Sequence, residues 1–108
     1  MAEKTFLGFS RRSGRAGVRN HLLILGINGL IAAAAGRIAA ALPGSKLVAT
    51  PYGRGPFGPE KECHFRQLVG LGANPNVGAV LVVGVDSNAA DEVEEGITAR
   101  SNALVELV

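Results

Sequence analysis

Apolar residues in this chain fall into short dense runs and longer periodic stretches, and the two kinds alternate. The run His21-Leu22-Leu23-Ile24-Leu25-Gly26-Ile27 is near-continuously apolar, as a strand buried on both faces should be. Asn28 is placed to cap a helix over 29–42, on which Leu30, Ala34, Ile38 and Leu42 recur every four residues as a core stripe. Pro43-Gly44 ends that helix, and 46–52 reads as a second strand. After the loop 53–58, Pro59 suits a first helical position and Glu60 and Glu62 suit the positive end of a helix. This second helix runs to Gly70 or Gly72, with Phe65, Leu68 and Val69 inward. Asn74-Pro75-Asn76 is a turn, and a third strand lies within 77–85. Ser87 or Asn88 can cap a third helix with Val93 and Ile97 on its core side, and 103–107 reads as a fourth strand.

The order β-α-β-α-β-α-β predicts a three-layer α/β/α domain with a mainly parallel sheet of about four strands, Rossmann-like in type. Residues 21–108 form this domain, and 1–20 a basic arm with room for a short strand at 5–9. The chain stops inside or just after a strand, which reads as a piece of a longer protein or a small domain closed by a partner chain.

Composition narrows the picture. The 108 residues are 47% hydrophobic and 19% charged, which fits a folded domain rather than a disordered tail. Aromatics make up 5%, so the core must be built from Leu, Val, Ile and Ala. No apolar run approaches the roughly 20 residues that span a bilayer, and no signal peptide opens the chain. The single Cys rules out an intrachain disulfide and a metal site built of cysteines. A cytoplasmic protein is expected, with neither membrane nor nucleic acid as partner. Interleaved aromatics and helix-turn-helix punctuation are both missing.

Charge is uneven. Residues 1–59 carry eight Lys and Arg against one Glu, while 60–108 carry three against eight acidic residues. Arg11, Arg12, Arg15 and Arg19 crowd into nine positions, broken by Gly14 and Gly17. Such a cluster suits an anion, or else a solvated arm. The acidic run 91–95 reads as a solvated face.

Ligands of open α/β sheets rest beyond the carboxyl ends of the strands, next to helix N-termini. Here those ends lead into 26–29, 52–58 and 84–88. Gly53, Gly55 and Gly58 match a dinucleotide fingerprint, but Pro56 and Pro59 remove two N–H groups a pyrophosphate would need. His21 opens a buried strand and reads as a structural hydrogen-bonder. Cys63 and His64 are neighbours about 100° apart on a helix, so a nucleophile–base pair is disfavoured. A small buried thiol beside a surface histidine is the expectation. Asp86, ending the third strand, is the best-placed carboxylate for a general base.

Three blocks carry a family resemblance: Phe9 to Asn20 (with Gly14-Arg15-Ala16-Gly17-Val18-Arg19-Asn20 at its centre), Thr50 to Gly58, and Asn74 to Gly84. In order, they resemble the central region of the altronate and galactarate dehydratases over about residues 8–90. The resemblance implies a fragment of a larger enzyme, a hydro-lyase that removes water from sugar acids with a divalent metal, commonly iron. Related members cleave sulfolactate. Full-length members are several times longer and carry a small β-rich domain ahead of this segment. The partners implied are a sugar-acid substrate and the rest of the chain or a second subunit. An unfinished sheet edge also invites a homo-oligomer.

Dehydration needs a base for the proton beside the carboxylate, positive groups for the developing charge, and help for the departing hydroxyl. Arg15 and Arg19 can clamp a carboxylate, and Asn20 can donate to a sugar hydroxyl. Tyr52, Gly53, Arg54, Ser87 and Asn88 lie on the loops where substrate would rest, and Asp86 would be the base. The chain also departs from the pattern. Arg54 stands where the family carries Cys, Ser87-Asn88 stand where it carries Cys-Glu, and Asp86 replaces a glycine. Ser and Asn replace a thiolate and a carboxylate poorly as metal ligands. The alternatives are therefore a non-catalytic anion-binding or regulatory relative, and a nucleotide-binding α/β module.

Overall fold

A computed structural model describes residues 5–12, 14–49, 58–84, 87–101 and 103–108. The chain opens with a hairpin, β1 (Phe9–Ser10) paired antiparallel with β2 (Ala16–Gly17). The elements that follow are β3 (His21–Gly26), a 3-10 turn (Gly29–Ile31), α1 (Ala32–Ala41), β4 (Lys46–Ala49), α2 (Pro59–Gly72), β5 (Val77–Val83), α3 (Ser87–Arg100) and β6 (Leu104–Leu107). The last four strands form one parallel sheet in the order β4-β3-β5-β6, so the structure is a small α/β fold with a four-stranded parallel sheet and three helices.

The apolar runs become the inner strands. Leu23 and Leu25 of β3, with Val80 and Val82 of β5, face α2 and α3 and meet Leu68, Val69, Val93 and Ile97. Ile24 and Val83 face the other way, against Ala35 of α1. A strand covered on both faces has no polar side, which is why its sequence shows no alternation. The edge strands are more open: in β6 only Val105 packs on the core, and Leu104 is 64% exposed.

On α1 Ile38 packs inward as predicted, but Leu30, Ala34 and Leu42 are not the positions that join it. Leu30 is 57% exposed, and the residues packed inward are Ile31, Ala35, Ile38 and Ala39. The 3-10 turn is the cause, since three residues per turn shifts the phase of the helix it feeds. Asn28 caps that turn as predicted, its Oδ1 accepting from the Leu30 amide at 3.0 Å. Ser87 and Asn88 belong to the first turn of α3, so the cap position falls before them, outside the described residues.

Helices α2 and α3 approach closely through glycine notches. A Cβ on Gly72 would lie 2.7 Å from Ile97 Cγ1, and one on Gly96 would lie 2.7 Å from Val69 Cγ2. Gly36 in α1 has open space instead. Gly36→Ala is therefore expected to stabilise the protein by about 0.5–1 kcal/mol, the ordinary helix preference. Gly72→Ala should destabilise it, since overpacking costs about 1–3 kcal/mol. Thermal melts of the two variants moving in the same direction would contradict the notch.

Candidate functional site: a crevice at the strand tips, with an arginine hairpin at the opposite end

The connections β3-α1-β4 and β5-α3-β6 leave the central strands in opposite directions. The strand order therefore reverses between β3 and β5, and the crevice beyond their carboxyl ends is where such sheets hold ligands. Its described walls are Gly26 at the end of β3, Ile27 and Asn28 after it, Gly84 after β5, and the opening turns of α2 and α3. Asn28 is buried, its side chain spent on the cap.

His64 lies on this side of the molecule. It is half-buried on α2, and Nε2 sits 3.0 Å from the Ile27 carbonyl oxygen. A carbonyl only accepts, so Nε2 carries a proton, and in the neutral ring Nδ1 is the acceptor nitrogen. The expected arrangement of a buried thiol and a surface histidine is thus reversed, because Cys63 is exposed. The 100° step that separates the two side chains turns the imidazole, not the thiol, toward the sheet. The sequence signal available was helix phase: His64 lies one turn ahead of the inward Leu68.

Of the residues singled out for these tips, Asn88 is exposed in the first turn of α3 and engaged with another group, and Ser87 begins that helix. Tyr52, Gly53, Arg54 and Asp86 lie outside the described residues, as does the glycine fingerprint except Gly58.

Arg15, Arg19 and Asn20 are elsewhere. The hairpin carrying them folds onto the turn that precedes β5, at the amino ends of the strands. Asn76 Oδ1 accepts from the amides of Val18 at 2.9 Å and Arg19 at 3.2 Å. Arg11 Nε donates to the Pro75 carbonyl at 2.7 Å, and its Nη2 donates to Asn20 Oδ1 at 2.9 Å. Arg11 also sits over the Phe9 ring, 5.4 Å from its centre. Arg12 Nη2 donates to the Thr98 carbonyl near the end of α3. Arg19 Nη1 donates to the Val18 carbonyl at 3.1 Å. Gly17 permits the docking, since a Cβ there would lie 2.7 Å from the Pro75 carbonyl carbon. Gly14, at φ 86°, closes the hairpin loop.

The expectation that Arg15 and Arg19 reach the mouth at the strand tips is therefore corrected. The hairpin leads directly into His21 at the start of β3, and six residues of strand, about 20 Å, separate it from the crevice. One small acid cannot touch both ends. Sequence reasoning passed over Arg11 and Asn76, which hold the hairpin down. Both lie within blocks it had marked for other roles.

Among the described residues no three His, Cys, Asp or Glu side chains gather to hold a metal ion. The described part of the crevice offers only His64, so the described residues do not fit the implied iron, and no step is derived through it. Among the described residues no helix is long and apolar enough to cross a membrane.

Fold and strand order together define a small doubly wound α/β domain. Comparison with known proteins narrows the class. Residues 8–108 match the family D-galactarate dehydratase/altronate hydrolase, second domain, and the chain belongs to that family. It is also 43% identical over 96 residues to the (2R)-sulfolactate sulfo-lyase subunit beta of Chromohalobacter salexigens. That match covers 89% of this chain and 25% of the relative, so the chain spans about a quarter of the relative's length. No solved structure matches the chain. Family and relative are both lyase-related, as the sequence blocks had implied, and the relative is one subunit of a larger assembly.

Proposed function

We propose that this chain is the sheet-bearing part of a lyase that acts on a small anionic hydroxy acid, of the galactarate, altronate or sulfolactate kind. The substrate rests in the crevice beyond the carboxyl ends of β3 and β5. The observation that carries this reading is the reversal of strand order between those two strands in a chain of a lyase-related family. On an acid of this kind the step would take a proton from the carbon beside the carboxylate while water or sulfite departs from the adjacent carbon. Asp86 takes that proton, and Tyr52, Gly53, Arg54, Ser87 and Asn88, with the α3 amides, hold the acid. The rest of the enzyme, from the same chain or from a partner subunit, supplies what the described residues do not gather, including ligands for a metal such as iron. We place the assembly in the cytoplasm.

A second reading has its own support. Arg54, Ser87 and Asn88 replace thiol and carboxylate positions, and the described residues gather no metal-binding cluster. A chain so altered binds an anionic acid without turning it over.

Calorimetric titration with sulfolactate, galactarate, altronate and ATP, each with and without Fe²⁺, separates these readings. Saturable binding of one hydroxy acid is expected. Asn88→Ala should weaken it about fivefold or more, the value of roughly one hydrogen bond, while Asp86→Ala should leave binding in place and lower turnover by the complete enzyme about a hundredfold or more. Arg19→Ala, at the far end of the sheet, should leave binding unchanged. Binding of ATP alone, or loss of acid binding in Arg19→Ala, would overturn the placement. Release of water or sulfite by the complete enzyme supports the lyase, and acid binding without turnover supports the second reading.

A further inference from the structure

We propose that His64 is a positioning residue for the strand-tip crevice: its Nε2–H holds the Ile27 carbonyl and so fixes the backbone against which the acid rests. This role rests on the crevice being where the substrate binds, as proposed above.

Ile27 is the first residue beyond β3, and it joins the two central strands where their order reverses. Its amide donates to the Val83 carbonyl at 3.2 Å. Its side chain is buried beside Gly84, where a Cβ would lie 2.7 Å from Ile27 Cδ1. Asn28, next in the chain, is committed to capping the 3-10 turn. The peptide between the two is thus fixed on both sides, and its carbonyl oxygen is what His64 meets at 3.0 Å.

The tie comes from α2, which opens at Gly58 without a side-chain cap. The positions of α2 turned away from solvent are His64, Phe65, Leu68, Val69 and Gly72, and His64 alone among them is polar. Burying a polar ring is costly unless it is hydrogen-bonded, so a histidine in this apolar row is retained for its bond. That bond spans 37 positions and ties the connection carrying the loop 53–58 to the exit from β3. His64 has a further interaction besides this one. Its role is that of a strut, and no proton transfer is assigned to it.

The consequence for an anionic guest is electrostatic. A carbonyl oxygen at the mouth of the crevice carries negative partial charge and opposes a carboxylate. Nε2–H offsets that charge and keeps the oxygen turned toward α2. The helix N-termini are then left to set the potential that the acid meets.

Three variants test the role. His64→Leu removes the donor at similar size, His64→Phe keeps a ring without a donor, and His64→Gln restores an N–H. Each is titrated with sulfolactate, galactarate and altronate, and followed by carbonyl carbon NMR at Ile27 and by thermal melting. The two donor-free variants should move the Ile27 resonance and weaken acid binding about fivefold or more. His64→Gln should return the resonance and bring affinity to within about twofold of the unaltered chain. In the complete enzyme the loss should appear in KM, with kcat held within about twofold, as expected of a group that settles the acid without moving a proton. A role confined to fastening α2 predicts a lower melting temperature with unchanged affinity. That result, in whichever donor-free variant folds, would overturn the proposal. So would an Ile27 resonance that neither donor-free variant moves, whatever the acid binding. An unaltered chain that binds none of the three acids would overturn the functional reading itself, and this role with it.

Discussion

Replacing Ile97 by alanine is expected to lower the unfolding free energy by about 3–5 kcal/mol, measured from urea denaturation midpoints. Ile97 is fully buried, its branched side chain seated against Gly72 and within the cluster that joins α2 and α3 to β3 and β5. Large-to-small changes at such sites cost about 2–5 kcal/mol, with the larger values where surroundings cannot collapse. Here one wall of the cavity would be helix backbone at Gly72, which cannot fill it. A domain of this size holds about 5–15 kcal/mol in all, so the loss takes a large share of its stability. A cost below about 1 kcal/mol would show that the two helices close over the gap and that the notch is not tight.

Gly17→Val is expected to lift the hairpin from the sheet while leaving the core folded. A branched side chain at residue 17 would collide with the backbone at Pro75, and neither strand end nor turn can yield without breaking the bonds that hold them. The Arg11–Pro75, Val18–Asn76 and Arg19–Asn76 hydrogen bonds would go together. At about 0.5–1.5 kcal/mol each, their loss amounts to about 2–4 kcal/mol, localised to residues 8–20. Four arginines lie in that stretch, so trypsin reports the change directly. Cleavage after Arg11, Arg12, Arg15 or Arg19 should accelerate tenfold or more. Amide protection of Leu23 and Val82 should stay high. Unchanged cleavage would mean that the hairpin is held by something other than the bonds described.

The sheet was legible because its central strands are covered on both faces. Leu22 to Leu25 and Val80 to Val83 have no polar alternative, and the parallel direction of the strands follows from the helices between them, although their order does not. The inward positions of α2 and α3 followed as well, since Leu68, Val69, Val93 and Ile97 stand out among polar neighbours. On α1 nearly every position is small and apolar, so the stripe could not be phased from sequence and the 3-10 turn decided it. The hairpin failed differently. Arginine, asparagine and glycine look the same in a substrate clamp and in a docking contact, and only the geometry of Asn76 and Pro75 separates them. His64 was undervalued for want of a view of Ile27, thirty-seven positions away.

The pairing of β3 with β5 also governs how the chain acquires its shape. Leu23 meets Val80 across most of the domain's length, and the intervening residues must be organised before the two can align. Sheets closed by such distant partners gather slowly, on the scale of milliseconds to seconds rather than microseconds. Until β5 arrives, β3 has only the short, exposed β4 beside it, and its oily flank waits uncovered. Refolding at high protein concentration is therefore the condition under which aggregation should compete most strongly with recovery of the native state.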